Sequence, residues 1–111
     1  MISTSIRNPQ SAIRNRMRVM IVIPVYNHGA TLRAVVEKAL QVHDTVMVVD
    51  DGSTDGGGET IADLNVHRIR HSRNFGKGSA ILSAAREAEK LGVTHMVTLD
   101  ADGEQIGRAH V

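Results

Sequence analysis

The chain has no cysteine and no tryptophan, only one tyrosine, one phenylalanine and two prolines, and no apolar run near the roughly 20 residues of a membrane helix. Without cysteine, disulfide scaffolds and thiolate zinc sites are excluded, and the redox compartment stays undetermined. The core must therefore be built from aliphatic side chains and methionine, a composition that suits helices packed on a parallel sheet.

The length and the charge of the chain narrow the number of domains and the kinds of partner that can be expected. Its 111 residues fit a single domain near the lower end of the usual size range. The formal net charge is +1, and acidic and basic residues are both scattered. Nucleic-acid binding is not expected, because a phosphate backbone requires a clustered basic face.

Residues 1–17 are predicted to be a disordered leader outside the folded domain. Residues 1–16 contain no acidic residue and no sustained periodicity. Their arginine- and serine-rich composition is also typical of a transit peptide. A disordered tail, or a start codon assigned too early with Met17 as the true start, is favoured over that reading.

The chain is organised around an apolar run that stops in an acidic, glycine-containing turn. Residues 45–49 are predicted to form a strand, and their unbroken apolar part is typical of a strand covered on both faces. Ligands of open α/β sheets bind outside the carboxyl ends of strands. Asp50, Asp51 and Asp55 are therefore predicted to lie where a ligand would bind.

Two further apolar runs end in polar residues in the same way. Residues 19–25 are followed by a tyrosine and an asparagine, and residues 95–99 are followed by Asp100 and Asp102. In a parallel sheet these polar ends meet at one edge, so three strands are predicted to converge on one site.

Helical periodicity separates the strands. One helix is predicted to begin near Ala30 or Thr31, and a second ends before Gly92 at the C′ position. Their apolar stripes are Leu32, Val35, Val36, Ala39 and Leu40 in the first helix, and Ile81, Ala84, Ala85, Ala88 and Leu91 in the second. A short helical segment, 59–64, and a short strand, 66–69, lie between them. This alternation predicts an α/β fold with a mostly parallel sheet and flanking helices.

The Asp-X-Asp (DXD) motif after the last predicted strand indicates a divalent cation. Mg²⁺ and Mn²⁺ take oxygen ligands and are commonly held by one or two carboxylates together with substrate phosphates. Asp100 and Asp102 therefore fit a metal that bridges to a diphosphate. For this pair taken alone, a solvated acidic turn is the alternative, since Asp and Gly are common in turns.

The glycine-rich loop 74–78 is a second candidate for phosphate contact. It lacks the first glycine and the Ser or Thr of a P-loop. Lys77 nevertheless lies at a predicted helix N-terminus, which favours anions, and an ordinary exposed lysine is an equal alternative. The six histidines have no metal-ligand spacing and are predicted to be surface or capping residues.

Four motifs, in this order and spacing, resemble the nucleotide-sugar-binding half of family 2 glycosyltransferases with the GT-A fold, which is Rossmann-like. They are IPVYN at 23–27, VVDDGSTD at 48–55, NFGKG at 74–78 and LDADG at 99–103. Within the family the chain looks most like the polyprenyl-phosphate branch, which includes enzymes similar to dolichol-phosphate mannose synthase. The resemblance implies a truncated glycosyltransferase domain over residues 18–105.

The resemblance implies a role for each matching position. Asp51 is expected to hydrogen-bond the nucleobase, and Lys77 to assist at the phosphates. Asp100 is expected at the ribose or the metal side of the donor, and Asp102 as a ligand of Mg²⁺ or Mn²⁺. The metal would act as a Lewis acid on the departing nucleoside diphosphate. The residues implied to shape the nucleotide pocket are Pro24, Tyr26 and Asn27.

The implied reaction transfers a sugar from a nucleoside-diphosphate-sugar to an acceptor, a polyprenyl phosphate in this branch, with inversion. The implied location is the cytoplasm, at the cytoplasmic face of the membrane for the full-length protein.

Two alternative functions stay open. One is an α/β nucleotidyltransferase, although its Gly-rich, Arg-containing loop is missing after the first strand. The other is a nucleotide-sugar-binding module or inert fragment without transfer activity.

The end of the chain departs from the family pattern. The family more often has glutamine at Glu104 and histidine at Gln105, so no metal contact is predicted beyond Asp102. The catalytic base is expected from later family sequence that this chain does not contain. Residues 106–111 are predicted to be a non-native tail, because they add no core and resemble one reading frame of a sequencing adapter.

Overall fold

The computed structural model describes residues 17–102 and the backbone of residues 106–110. The predicted leader segment 1–16 lies outside the described residues, as do Glu104 and Gln105. In the described ranges, no helix combines the length and the apolar character needed to cross a bilayer.

Strands and helices alternate along the chain. In order they are β1 (Val19–Val25), α1 (Gly29–Val42), β2 (Val46–Asp50), a 3₁₀ helix (Gly57–Ile61), β3 (His67–Arg70), α2 (Lys77–Lys90), β4 (His95–Leu99) and β5 (Ile106–His110). The sheet order is β3-β2-β1-β4-β5, in which the first four strands are parallel and β5 is antiparallel to β4. The predicted α/β fold with a mostly parallel sheet is confirmed.

The strand order creates a switch point between β1 and β4. From β1 the chain passes through α1 to β2 and β3 on one side, and α2 returns it to β4 on the other side of β1. Because these strands are parallel, the carboxyl ends of β1, β2 and β4 lie at one edge of the sheet. Crevices at such switch points are the usual ligand sites of open α/β sheets.

The central strands are covered on both faces. Alternate residues of β1 and β2 enter two separate core clusters, one against α1 and one against α2. The α1 cluster includes Ile21, Ile23, Val46 and Val48, and the α2 cluster includes Met20, Val22, Met47 and Val49. Full burial of each such side chain contributes about 1.5 to 3 kcal/mol. Coverage on both faces, predicted from the unbroken apolar run of β2, is confirmed.

Helix α1 buries its predicted stripe but begins at Gly29, one or two residues before the predicted start. His28 occupies the N-cap position and makes no side-chain capping bond. The N–H of Gly29 instead donates to Asp55 Oδ2, 2.9 Å away and 26 positions later in the chain. A local sequence pattern cannot reveal a cap from so distant a residue, which explains the shifted boundary.

Helix α2 ends in the predicted manner, with Gly92 at the C′ position. Gly92 has a φ of +76°, which glycine adopts without steric cost. The N–H of Gly92 donates to Glu89 O at 3.1 Å, and the N–H of Val93 donates to Ala88 O at 2.9 Å. This pair of bonds is the Schellman arrangement, which satisfies carbonyl groups in the last turn of the helix.

The face that α2 presents to the sheet consists of alanines. Ala80, Ala84 and Ala88 are fully buried. The predicted stripe omitted Ala80 and included Leu91, which is exposed. Side chains this small allow the helix to lie close to the sheet, since packed interiors leave few voids.

We expect Ala84→Leu to lower the free energy of unfolding by about 1 to 3 kcal/mol, because the larger side chain has no space between α2 and the sheet. Ala34→Leu is the matched control on an exposed position of α1, with an expected change within about 0.5 kcal/mol. Urea denaturation measures both variants. Equal effects of the two substitutions would contradict close packing of α2.

The fifth strand differs from the sequence prediction, which has no further element after residue 103. The main chain of Ile106–His110 pairs antiparallel with β4, from His95 opposite His110 to Leu99 opposite Ile106. The edge of β4 offers N–H and C=O groups to an extended segment whatever its side chains. Pairing of this kind gives no sequence signal, and the non-native origin of residues 106–111 stays a prediction.

Candidate functional site

A cavity of about 320 Å³ opens at the carboxyl ends of β1, β2 and β4. It is lined by Pro24, Val25, Tyr26, His28, Asp51, Asn74, Lys77, Ala80, Asp100, Ala101 and Asp102. All residues predicted for donor or metal binding belong to this lining except Asn27. The structure thus brings the predicted strand ends together around one space, while the role of each residue stays a prediction.

Asn27 fastens the loop after β1 to the loop after β2 and is not among the lining residues. Its φ is +56°, a left-handed conformation that asparagine adopts more readily than most residues. Its N–H donates to Ser53 Oγ at 3.0 Å, and its Oδ1 accepts the N–H of Thr54 at 2.8 Å. Asn27 therefore acts on the cavity through the position of these two loops.

Asp55 accepts hydrogen bonds from backbone N–H groups of the protein and does not line the cavity. Its Oδ2 accepts the N–H of Gly29 and its Oδ1 accepts the N–H of Gly57, both at 2.9 Å. These two bonds lower the pKa of Asp55 and outweigh the opposing effect of burial. Gly29 and Gly57 pack so closely that a Cβ on either would lie 2.8 Å from the Cα of the other. Asp55 thus joins α1 to the 3₁₀ helix.

Asp50 is also a structural carboxylate. It is buried, its Oδ1 accepts the N–H of Ser53 at 2.8 Å, and its Oδ2 accepts Arg70 Nη1 at 2.9 Å. Of the three carboxylates predicted to lie where a ligand would bind, only Asp51 lines the cavity. The prediction is therefore wrong for Asp50 and Asp55, whose carboxylates lie outside the cavity lining, against Ser53 and Arg70 for Asp50 and against Gly29 and Gly57 for Asp55.

Asp51 is the most enclosed carboxylate of the cavity, with a side chain that is 4% exposed. Its Oδ1 accepts His71 Nδ1 at 2.7 Å and the N–H of Phe75 at 2.9 Å, and its Oδ2 accepts the N–H of Gly76 at 2.7 Å. Burial is the largest single effect and raises the pKa of Asp51, but the hydrogen bonds together lower it below its usual value. The ionised carboxylate therefore holds the loop before α2 against the end of β2.

His71 is a site residue that the sequence analysis missed. The prediction of a surface or capping role is wrong, because its side chain is 13% exposed and its ring lies between two polar groups. Nδ1 contacts Asp51 Oδ1 at 2.7 Å, and Nε2 contacts Ser83 Oγ at 2.8 Å. These partners lie 20 and 12 positions away, so no spacing rule identifies them. The one available signal is that His71 directly follows β3.

Lys77 and Asp100 form an ion pair at the cavity, with Nζ 2.7 Å from Oδ1. Lys77 is the first residue of α2, and its side chain is 61% exposed. Free N–H groups of the first turn and the helix dipole favour an anion at this position. A positive charge thus lies beside the carboxylates that follow β4, where an anionic ligand can contact both the lysine and the helix end.

In the turn after β4, the apolar side chain lies in the core and the two acidic side chains lie at the cavity. Ala101 packs in the α1 core cluster, and its carbonyl accepts the Thr31 hydroxyl at 2.8 Å. Asp100 and Asp102 on either side line the cavity. Within residues 17–102 no group of three or more metal-ligating side chains is present. Two carboxylates fit a Mg²⁺ or Mn²⁺ ion whose remaining ligands are phosphate oxygens and water.

Comparison with known proteins identifies a family and several relatives. The family described as glycosyl transferase family 2 matches residues 20–105 of this chain. A Methanococcus voltae UDP-N-acetylglucosamine--dolichyl-phosphate N-acetylglucosaminyltransferase is 31% identical over 105 residues, which cover 78% of this chain and 41% of that protein.

Two bacterial relatives are similarly close. The polyprenol monophosphomannose synthase of Mycolicibacterium smegmatis is 32% identical over 103 residues, which cover 84% of this chain and 38% of the relative. The undecaprenyl-phosphate mannosyltransferase of Micrococcus luteus is 32% identical over 94 residues, with 78% and 39% covered. The chain therefore spans about two fifths of the length of these relatives.

Solved structures share the fold. A crystal structure of S. aureus TarS has a TM-score of 0.66 at 23% identity, covering 78% of this chain and 28% of that chain. The glucosyl-3-phosphoglycerate synthase of Mycobacterium tuberculosis, in complex with Mn²⁺, uridine diphosphate and glucosyl-3-phosphoglycerate, has a TM-score of 0.62 at 18% identity, covering 91% and 40%. The predicted GT-A fold is confirmed, and this chain corresponds to its N-terminal half.

Proposed function

This chain belongs to glycosyltransferase family 2, and from that premise we propose that its protein transfers a sugar from a nucleoside-diphosphate-sugar to a polyprenyl phosphate with inversion at the anomeric carbon. The observation that carries the proposal is the cavity at the switch point. Asp51, Lys77, Asp100 and Asp102 line it together, although they come from three separate segments of the chain. A donor that is part base and part diphosphate needs such a mixed set of groups.

Each of these groups has a chemical task toward the donor. The ionised Asp51 accepts a nucleobase N–H, and Pro24 and Tyr26 form adjacent cavity wall. Lys77 and the N-terminus of α2 attract the diphosphate. Asp100 and Asp102 would hold Mg²⁺ or Mn²⁺, which neutralises charge on the departing nucleoside diphosphate when bound.

The acceptor side of the proposal rests on the relatives. Their names give dolichyl phosphate, polyprenol and undecaprenyl phosphate. For this protein we propose that an acceptor phosphate oxygen forms the new bond to the anomeric carbon while the bond to the diphosphate oxygen breaks. A phosphate oxygen is already anionic and needs little help from a base, and no residue of this chain is assigned that role. Because a polyprenyl phosphate is anchored in a bilayer, we propose that the full-length protein acts at the cytoplasmic face of a membrane.

Calorimetric titration of UDP and GDP, each with and without Mn²⁺, tests the donor site. We expect saturable binding that requires the metal and weakens at least about tenfold in Asp102→Ala, because a charged metal ligand is lost. Asp44→Ala removes an exposed carboxylate at the opposite end of β2 and is expected to bind like the unchanged protein. Metal-independent binding, or equal affinities in the two variants, would contradict the assignment of Asp102.

A second candidate is donor binding without transfer by the 111-residue chain. It is favoured by the coverage of about two fifths of the relatives, since the donor-side groups lie within this part. Sugar transfer from UDP- or GDP-sugar to undecaprenyl phosphate separates the two candidates. Metal-dependent nucleotide binding with no lipid-linked product would support the binding module.

A further inference from the structure

We propose that His71, itself held by Ser83, is a positioning residue that fixes the direction of the Asp51 carboxylate and leaves it one acceptor site for a ligand N–H. The inference rests on the proposed function, in which Asp51 contacts the nucleobase. It adds a residue to the donor site that makes no direct contact with the donor.

Three elements of the fold meet at the His71 ring. Asp51 directly follows β2, His71 directly follows β3, and Ser83 lies in the second turn of α2. The distances are 2.7 Å from Nδ1 to Asp51 Oδ1 and 2.8 Å from Nε2 to Ser83 Oγ. The ring therefore transmits the position of α2 to the carboxylate through two short hydrogen bonds.

The partners of the ring determine its tautomer. The Asp51 carboxylate is ionised at neutral pH and can only accept, so Nδ1 must carry the proton of this bond. In the neutral ring Nε2 is then the acceptor, and the Ser83 hydroxyl donates to it. A serine hydroxyl can rotate to meet this need, whereas a backbone carbonyl at the same place could not.

The hydrogen bonds that Asp51 makes within the protein limit the number of acceptor positions left for a ligand. Oδ1 accepts from both His71 and the N–H of Phe75, and Oδ2 accepts from the N–H of Gly76. A carboxylate offers about four acceptor positions, so one position on Oδ2 remains. A base N–H can thus be accepted by one oxygen only, in a direction that the other three donors have set.

Neighbouring side chains keep the ring in place. Phe75 packs against it edge to face, with ring centroids 5.6 Å apart, and Arg73 lies over the Phe75 ring at 4.7 Å. An alanine at position 71 would also remove this packing and leave a hole, so its effect on ligand binding would be hard to separate from lost stability. Asparagine and glutamine both lose the ring contact with Phe75, so a comparison between these two variants separates the hydrogen bonds from the packing.

The two amide side chains place a donor at different points. The Nδ2 of asparagine reaches about as far as His Nδ1, and the Nε2 of glutamine about as far as His Nε2. His71→Asn therefore keeps a donor for Asp51, whereas His71→Gln keeps only the contact toward Ser83. His67→Gln, at the other end of β3, is the matched control for a histidine outside the site.

The first measurement is the imidazole nitrogen spectrum of the 111-residue protein by long-range ¹H–¹⁵N NMR. We expect the His71 Nδ1 to carry a proton that is hydrogen-bonded to Asp51, whether or not a nucleotide is bound. A protonated Nε2 with a bare Nδ1, or fast exchange between tautomers as in a solvated ring, would overturn the inference.

The second measurement compares the variants. For His71→Gln we expect UDP or GDP binding in the presence of Mn²⁺ to weaken about tenfold, with less than a threefold change for His71→Asn and none for His67→Gln. Amide exchange at Gly76 should quicken in the glutamine variant alone, because Asp51 loses its fixed direction. Thermal midpoints of the two His71 variants should agree.

The outcomes keep the two proposals apart. If the unchanged protein binds no nucleotide, the proposed function fails, yet the tautomer and the Gly76 exchange rates still decide the role of His71. Equal exchange rates and equal affinities in the two His71 variants would show that His71 only fills space, and would overturn the inference.

Discussion

Gly52→Ala is expected to lower the free energy of unfolding by at least about 3 kcal/mol, through backbone strain and overlap together. Gly52 has a φ of +78°, a region that L side chains rarely adopt. An added Cβ would also lie 2.3 Å from Arg73 C and 2.6 Å from Asn74 N. Both are backbone atoms and cannot rotate away.

The overlapped backbone has little freedom to move. Asp51, the neighbour of Gly52, accepts the N–H groups of Phe75 and Gly76 and so holds the same loop in place. Relief of the overlap would stretch these bonds and displace the wall of the cavity. We therefore expect Gly52→Ala to impair nucleotide binding as well as stability.

Gly56→Ala separates the effect of backbone strain from the effect of steric overlap. Gly56 has a φ of +73°, but an added Cβ there would meet no heavy atom within 4 Å. Its expected cost is about 1 to 2 kcal/mol, from backbone conformation alone. Urea denaturation of both variants measures the difference. Similar losses at the two positions would show that the close approach of the loop to Gly52 is not present in solution.

Asp51→Asn is expected to lower the free energy of unfolding by about 3 kcal/mol at pH 7. The amide has the shape of the carboxylate but only one oxygen. Its NH₂ group must face either Gly76 or the pair formed by His71 and Phe75, all of which donate to the carboxylate. At least one buried donor then loses its acceptor, which costs more than the lost bond alone.

The same substitution should change how stability depends on pH. Burial raises the pKa of Asp51, but its hydrogen bonds lower it further, so the folded-state pKa lies below the unfolded value of about 3.9. The stability that Asp51 contributes is therefore complete above about pH 4 and is lost as pH falls through the folded-state pKa. The curves of Asp51→Asn and the unchanged protein should approach each other in acid.

Urea denaturation between pH 7 and pH 3 tests this expectation. Asp55 also has a lowered pKa and contributes to acid unfolding of both proteins, so its share cancels in the difference between their curves, which reports Asp51 together with its partner His71. Asp44→Asn, at an exposed position, should differ by less than about 0.5 kcal/mol throughout. A constant gap between Asp51→Asn and the unchanged protein down to pH 3 would contradict ionisation of Asp51 as the cause.

The network around Asp51 also shows where sequence reasoning stops. Asp50, Asp51 and Asp55 occupy equivalent places in a pattern of acidic residues after a strand, and nothing local distinguishes them. In the folded chain Arg70 and Ser53 engage Asp50, and the N–H of Gly29 engages Asp55. Which of these three carboxylates lines the cavity therefore depends on partners from other elements, Arg70 of β3 and Gly29 of α1.

The α/β architecture, the bounds of β1 and β4, and the edge of the sheet at which the cavity lies could all be predicted from the sequence. These follow from apolar runs and periodicity, which are local properties of the chain, and from the rule that parallel strands bring their carboxyl ends together. Three features could not be predicted and became visible in the folded chain: the cap of α1 by Asp55, the burial of Ala80, and the bridge of His71 between Asp51 and Ser83. Each depends on groups that approach within a few ångströms after folding, and a hydrogen bond between residues 12 to 26 positions apart leaves no periodic trace in the sequence.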